Sequence, residues 1–232
     1  NLYVTGIFSG SIGFDRFSST ANLTAASSAD VFVVKLSANG GLLWARSFSG
    51  AGTKQAYGIC VDTLGNVYTT GYFQGTADLD PGSGAANLTA TSYDVFVSKL
   101  DANGGYVWAK QFGGPSDEYG LGVQVDADAN VYTTGFFTGT VDFDPSAVTH
   151  TLASSGFFSG FIAKLNTNGE YLWAKAVSGN NHVYSNAITV DAQGSAYATG
   201  SFYGSADFDP SAASDIRVAA GSDDIFITKF DS

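Results

Sequence analysis

What most constrains this chain is that one unit is written four times. The segment NLYVTG at 1–6 returns as NVYTTG at 66–71, NVYTTG at 130–135 and SAYATG at 195–200, at spacings of 65, 64 and 65 residues. Each copy continues as Gly-x-Phe-x-Gly around Phe8, Phe73, Phe137 and Phe202. An acidic element follows: ADLDP at 77–81, VDFDP at 141–145, ADFDP at 206–210, and a degenerate IGFDR at 12–16. Then DVFVVKL (30–36), DVFVSKL (94–100), SGFIAKL (159–165) and DIFITKF (224–230) set a lysine at 35, 99, 164 and 229. A Trp-Ala-basic triplet closes the unit at 44–46, 108–110 and 173–175, and the fourth copy stops before it. The repeat units are 1–65, 66–129, 130–194 and a truncated 195–232. Such a period marks units that bury their faces against one another rather than alone.

Within a unit, the runs GICVD, NVYTTGYF, DVFVSKLD and YVWAKQF are short, β-branched and aromatic, and turn residues bound them. SANGG, DANGG and NTNGE each place an Asn-Gly pair where a hairpin must close, because glycine adopts positive φ freely. No stretch holds helical spacing. The expected fold is all-β: one module over 1–232, built of four-stranded sheets stacked around an axis as a β-propeller. A β-sandwich needs no fixed period, and solenoid coils repeat on a shorter one.

Composition narrows the functional classes. Asp and Glu number 21 against 10 Lys and Arg, a formal charge of −11, so the basic footprint that displaces phosphate counterions is missing and nucleic acid is excluded as a partner. An anionic membrane surface is disfavoured likewise. With 44% hydrophobic and 13% charged residues the chain has the composition of a folded domain. No apolar run is long enough to span a bilayer. One cysteine, Cys60, allows no intrachain disulfide, and two histidines leave little for a zinc site. The absence of methionine and of a signal peptide reads as a segment of a longer or processed polypeptide.

The run DVFVSKLDANGGYVWAKQFGG, continuing through VDADANVYTTGFFTGTVDFDP, resembles the bacterial seven-bladed β-propeller repeat family known as SBBP, with core strands similar to the NHL-type blade. The resemblance covers nearly the whole chain. It implies a propeller of secreted or surface-attached bacterial proteins, usually one module of a larger polypeptide, and it brings no catalytic pattern. The chain is too short for seven blades. Lettering strands A to D from the inside, it starts at a strand B and ends after a strand C, which makes 14 strands, or about 3.5 blades. Open edges invite pairing, so the expectation is a chain continuing in both directions or two copies associating edge to edge. Two such copies would hold 28 strands, the strand count of a seven-bladed ring.

Several residues are candidates for chemistry. Asp78 and Asp80, Asp142 and Asp144, and Asp207 and Asp209 alternate on strand-like segments, and paired carboxylates suit a hard cation such as calcium. The alternative is turn capping with proline fixing φ, which recurrence in every unit favours. In the first copy Gly13 and Arg16 replace Asp and Pro and would bind metal poorly. Asp126-Ala-Asp128-Ala-Asn130 resembles the opening of a calcium loop but lacks its glycine and distant glutamate, so it reads as a turn. Lys35, Lys99, Lys164 and Lys229 sit in strands suited to burial, where a carboxylate partner is expected. Trp44, Trp108 and Trp173 read as packing between blades, with stacking on sugars if exposed. The sequons at Asn22 and Asn87 recur at equivalent positions and read as strand residues.

The loops between units align without gaps, 18 residues from each tryptophan to the Asp ending the next strand A, yet differ in chemistry: Thr53/Asp117/His182, Lys54/Glu118/Val183 and Gln55/Tyr119/Tyr184. Such loops share one propeller rim and are candidate ligand-binding positions. No nucleophile elbow, phosphate loop, dinucleotide fingerprint or HExxH occurs. The sequence therefore points away from an enzyme, without a cofactor unless calcium. It points toward an extracellular or cell-surface bacterial scaffold that offers a rim to a protein or glycan. A carbohydrate-binding propeller and a polysaccharide hydrolase or lyase stand as alternatives, the last requiring two carboxylates converging in one pocket, one of them with a raised pKa.

Overall fold

The computed structural model describes residues 1–15, 22–211 and 213–231; Arg16 and Ser232 lie outside the described residues. Every regular element among them is a strand. The first blade holds β1 (Leu2–Phe8), β2 (Ser11–Gly13), β3 (Asn22–Thr24), β4 (Asp30–Leu36) and β5 (Leu42–Phe48). The second holds β6 (Lys54–Val61), β7 (Val67–Asp78), β8 (Asn87–Leu100) and β9 (Tyr106–Phe112). The third comprises β10 (Glu118–Val125), β11 (Val131–Phe137), β12 (Thr140–Asp142), β13 (Thr151–Ala153), β14 (Ser159–Leu165) and β15 (Tyr171–Gly179). The fourth comprises β16 (Val183–Val190), β17 (Ala196–Asp207) and β18 (Ile216–Phe230).

The short pairs β2–β3 and β12–β13 are outer continuations of the B–C hairpin, which in blades two and four run unbroken past a register shift at Gly75 and near Gly204. Setting them aside, the antiparallel sheets are β1-β4-β5, β6-β7-β8-β9, β10-β11-β14-β15 and β16-β17-β18. The strand order within a blade is thus the order in sequence, and the chain is a partial β-propeller of two complete blades flanked by two three-stranded ones. Four sheets per chain also correct the arithmetic of a dimer. Two copies would form eight sheets, four of them three-stranded, so an equal strand number does not translate into seven blades.

Strand alternation gives each sheet two faces, and both are apolar. In blade two, Val67, Phe73, Phe96 and Leu100 turn toward blade one, where Val31, Val33 and Phe48 meet them. Tyr68, Val95, Val97 and Trp108 turn the other way, onto Val123, Val131, Phe161 and Leu165 of blade three. Tyr132, Ile162 and Val177 of blade three then pack on Ala196, Ala198, Phe226 and Phe230 of blade four. Each fully buried Val, Ile or Phe contributes roughly 1.5–3 kcal/mol, so the three interblade cores are the main source of stability. Adjacent blades are also tied by short bridges from the end of strand D to the next hairpin, at Ser49–Asp78, Gly113–Asp142 and Gly179–Ala206.

The invariant glycine of the NVYTTG strand has a steric cause. Strand A bulges between Ala56 and Gly58, between Gly120 and Gly122, and between Ser185 and Ala187. A Cβ on Gly71, Gly135 or Gly200 would collide with the carbonyl of Gln55, Tyr119 or Tyr184. The A–B turns are closed by Asp62, Asp126 and Asp191, whose Oδ1 atoms accept backbone N–H groups two and four residues on. Each turn ends on a residue with positive φ: Gly65 at 85°, Gly194 at 82°, and Ala129 at 59°.

Ala129 is the one described non-glycine residue at positive φ, and an L-residue there is strained by roughly 1–2 kcal/mol. Part of that is offset by the chain entropy glycine loses on folding. Ala129→Gly should therefore stabilise the protein by about 0.5–1 kcal/mol in denaturant unfolding; a destabilisation would show that the methyl group packs usefully.

Candidate functional site

Antiparallel register sorts the blade ends into two rims. One carries the A–B and C–D turns; the other carries the loops from strand D to the next strand A. On the turn rim, Lys35 Nζ and Trp44 Nε1 both donate to the carbonyl of Ala102 in the next blade, at 2.8 and 3.1 Å. Lys99 Nζ and Trp108 Nε1 repeat this on Thr167, at 3.2 and 3.1 Å. Arg46 extends the first clasp to Gly104 and Asn103. Each lysine also lies over the strand-B tyrosine: Lys35 on Tyr3, Lys99 on Tyr68, Lys164 on Tyr132 and Lys229 on Tyr197, at 4.8–5.8 Å. The carboxylate bridges expected for these lysines are therefore replaced, in blades one and two, by a neighbouring carbonyl and an aromatic face. Lys164 does reach strand-end Asp126, at 3.8 Å, and the half-exposed Lys229 reaches Asp231 at 3.2 Å. Trp108 is buried and Trp44 and Trp173 are partly so, each in the seam between blades.

The acidic elements lie along the outer hairpins. Asp78 Oδ1 accepts the N–H groups of Asp80 and Ala86, Asp142 Oδ1 those of Asp144 and His150, and Asp207 Oδ1 those of Asp209 and Asp215. The second carboxylate repeats the device one turn on: Asp80 on Gly82, Asp144 on Ser146, Asp209 on Ser211. Each carboxylate thus caps its own turn, and no group of three His, Cys, Asp or Glu gathers among the described residues. Asp144 also holds His150 Nδ1 at 2.9 Å. Burial raises its pKa, but the hydrogen bonds from Ser146 and His150 outweigh that and leave it below the ordinary carboxylate range.

On the loop rim the eight candidate residues, and Val183 aligned with them, part company. Strand A begins at Lys54, Glu118 and Val183, and its first side chain points between blades, so all three are buried, at 1%, 0% and 0% exposure. Lys54 and Glu118 are therefore not surface ligand-binding residues, contrary to the expectation. Lys54 pairs with buried Asp30 at 2.9 Å. Glu118 meets Asp94, the Asp30 equivalent, carboxyl to carboxyl. Burial, then the Asp94 charge, pushes the Glu118 carboxyl up to about 9. Burial likewise raises Asp94 to about 6, with Asp117 adding, against hydrogen bonds from Gln111 and Glu118 that lower it. Asp117 itself accepts from the Ser92 hydroxyl.

Gln55, Tyr119, His182 and Tyr184 are half-buried on the rim and Thr53 is exposed there. Around them runs a continuous aromatic belt that no sequence motif marks. Tyr57 meets Tyr72, and Tyr72 meets Tyr93 and Tyr119, at 4.8–5.9 Å between centroids. Tyr119 stacks on Phe136 at 4.7 Å, Phe136 packs on Phe158 and Tyr184, and His182 bridges Tyr184 to Tyr203. Burial holds the Tyr72 and Tyr119 phenols up at about 12, so they remain hydrogen-bond donors at neutral pH. Cys60 lies away from this surface, its thiol pushed by burial up to about 12 and hence inert.

Comparison with known proteins accords with the architecture. Residues 43–72, from strand D of blade one through strands A and B of blade two, match the SBBP family, described as a beta-propeller repeat. Residues 43–72 thus match one repeat of that type. It is 27% identical, over 199 residues covering 75% of this chain, to an uncharacterised WD repeat-containing protein of Acanthamoeba polyphaga mimivirus. This chain spans 14% of that protein's length. A solved protein of unknown function from Bacteroides caccae aligns over 84% of this chain and 82% of its own, at 10% identity and a TM-score of 0.28, too low to carry a fold argument.

The Glu118–Asp94 contact has a pH signature. Raised carboxyl pKa values mean that the folded state keeps a proton the unfolded chain releases near 4.5. The stabilisation is complete below that pH and is lost as pH rises toward about 9. Unfolding midpoints taken in chelator should fall steadily from about pH 5 to about pH 9, and Glu118→Gln should flatten the slope. An unchanged slope in that variant would assign the titration to another group.

Proposed function

We propose that this chain is a non-enzymatic interaction module whose blades hold the aromatic loop rim rigidly in front of a protein or glycan partner. The observation that carries the reading is the belt from Tyr57 to Tyr203, which crosses three blades with its rings in mutual contact. Tyrosine and histidine give apolar area together with a polar tip, at small cost in side-chain entropy. The propeller repeat is common to interaction scaffolds, which supports the reading. Placement outside the cell or on its surface, in a bacterium, is part of the same proposal and rests on the repeat family, the acidic charge and the single cysteine.

The belt favours one specific version, carbohydrate binding, because ring faces and phenol hydroxyls together suit sugars. The hydrolase or lyase alternative fares less well. The converging carboxyl pair Asp94–Glu118 does have raised pKa values, but the two groups touch, which leaves no room for a glycosidic bond between them.

We also propose that further blades cover the two ends, from a longer chain or from a second copy. Ile225 and Ile227 on β18 are 86% and 78% exposed, whereas their equivalents Val31 and Val33 are fully covered by the next blade. A solution mass of 24.0 kDa would exclude the second copy.

The exposed belt members Tyr57 and Tyr203 provide the test. In a glycan array and a polysaccharide affinity gel, the wild-type chain should bind a defined sugar class. Tyr57→Ala with Tyr203→Ala should weaken that binding about tenfold, a loss of about 1.4 kcal/mol, at an unchanged melting midpoint. Absence of any glycan hit would leave the protein-partner version. Binding unaffected by both substitutions would remove the aromatic rim from the account.

A further inference from the structure

Charge is divided unevenly between the two rims. The four strand-C lysines and Arg46 all engage the turn rim, through the carbonyl clasps and tyrosine faces described above. Lys110 lies against Gly169 in the C–D turn of the next blade, and Lys175 lies over the rings of Trp173 and Phe230, at 5.2 and 5.8 Å. Arg217 pairs with Asp215 on the outer hairpin of blade four, at 2.8 Å. Lys54 is enclosed at the first seam by Asp30 Oδ1 and the Gly50 carbonyl, both at 2.9 Å. Among the described residues, therefore, no lysine or arginine faces the aromatic belt.

Carboxylates do face it. Asp117 Oδ1 accepts the Tyr93 N–H at 3.4 Å and the Ser92 hydroxyl, which sets it beside Tyr93 and Tyr119, rings 5.7 Å apart. Burial first, then the Asp117 charge, holds the Tyr119 phenol up at about 12. Asp223 is exposed and stands opposite Tyr203 in the β17–β18 register. Burial and then the Asp223 charge raise the Tyr184 phenol in the same way. The seams beneath contribute no positive charge. Lys54 is neutralised by Asp30, and the Asp94–Glu118 contact is carboxyl to carboxyl. At the third seam Val183 stands beside Ser159, which Ser154 and Ser178 satisfy. The belt is thus aromatic and acidic, with the free cations held on the opposite rim.

We propose that this rim recognises glycans built of amino sugars with free amino groups, their ring faces on the tyrosines and their ammonium groups beside Asp117 and Asp223. The proposal rests on the carbohydrate reading of the belt and adds the charge of the sugar to it. A neutral sugar would use the rings and phenols and leave both carboxylates idle, and a uronic acid would be repelled by them. An amino sugar uses both, because an ammonium group is drawn to a carboxylate and to the face of a tyrosine ring. Asp117 and Asp223 belong to different blades, with ring surface between them. That spacing suits a chain carrying one charge per sugar better than a run of lysines, which calls for a denser acidic patch. The formal charge of −11 draws a polycation toward the whole molecule.

The test is titration of the full chain, near neutral pH and at low salt, with glucosamine oligomers and with N-acetylglucosamine and uronic-acid oligomers of the same length. The free-amine oligomer should bind about tenfold more tightly than the acetylated one, added salt should erase most of that difference, and the uronic acid should not bind. Asp117→Asn with Asp223→Asn should bring the two glucosamine series within about twofold of each other, at an unchanged melting midpoint. If Asp117→Asn disturbs the loop held by Ser92 and Tyr93, Asp223→Asn alone should still lower the preference about threefold. Equal or tighter binding of the acetylated oligomer overturns this inference and leaves the rim as a surface for neutral glycans. Binding of oligolysine with neither glucosamine series overturns it in favour of a basic peptide, and binding of none of the probes removes the carbohydrate reading with it. A free-amine preference that survives both substitutions overturns it by placing ammonium recognition elsewhere.

Discussion

Burial of one sheet's apolar face against the next is the constraint from which the rest of this structure follows. A four-stranded sheet with apolar residues on both faces cannot be stable in water alone. Here the two middle blades are covered on both faces and the two end blades on one, through three equivalent cores. The repeat is the sequence-level expression of that need. The same requirement explains the ends: the outward face of blade four is as apolar as the others but lacks a cover.

Polar groups are placed where that stacking would otherwise leave backbone unsatisfied. The turn rim uses a lysine and a tryptophan to engage one carbonyl of the next blade. These contacts fix the rotation of one blade upon its neighbour, which dispersion between flat apolar faces does poorly. On the opposite rim the contacts vary. An ion pair, a carboxyl pair and a Val–Ser pair occupy the three seams, so one frame accommodates different local chemistry. The aromatic belt runs beside these niches, which couples its shape to how blades two and three are held together.

Much of the fold was legible because the copies differ in sequence but not in spacing. Period, strand order, turn glycines such as Gly40 and Gly104, and the three-stranded end blades could all be read by alignment of the chain with itself. The site was less legible. Lys54 and Glu118 look like loop residues, and only the start of strand A and its bulge after Ala56 or Gly120 decide that they point between blades. Lys35 and Lys99 find carbonyls, and backbone acceptors leave no mark in a sequence. The belt joins Tyr72, Tyr119, Phe136 and Tyr184 across three blades, at repeat positions that hold no fixed residue type, so the copies do not announce it. In the second, third and fourth copies the first aspartate of each pair caps its turn, whereas the first copy carries Gly13 there.

Ile162 and Ile227 occupy equivalent repeat positions, one fully buried beneath the following blade and one 78% exposed on the uncovered face. The same substitution at both, compared by denaturant unfolding, measures what a covering blade contributes. Ile162→Ala should cost about 2–5 kcal/mol and Ile227→Ala no more than about 0.5 kcal/mol. Equal costs at the two positions would contradict the stacking of blades as the source of this fold's stability.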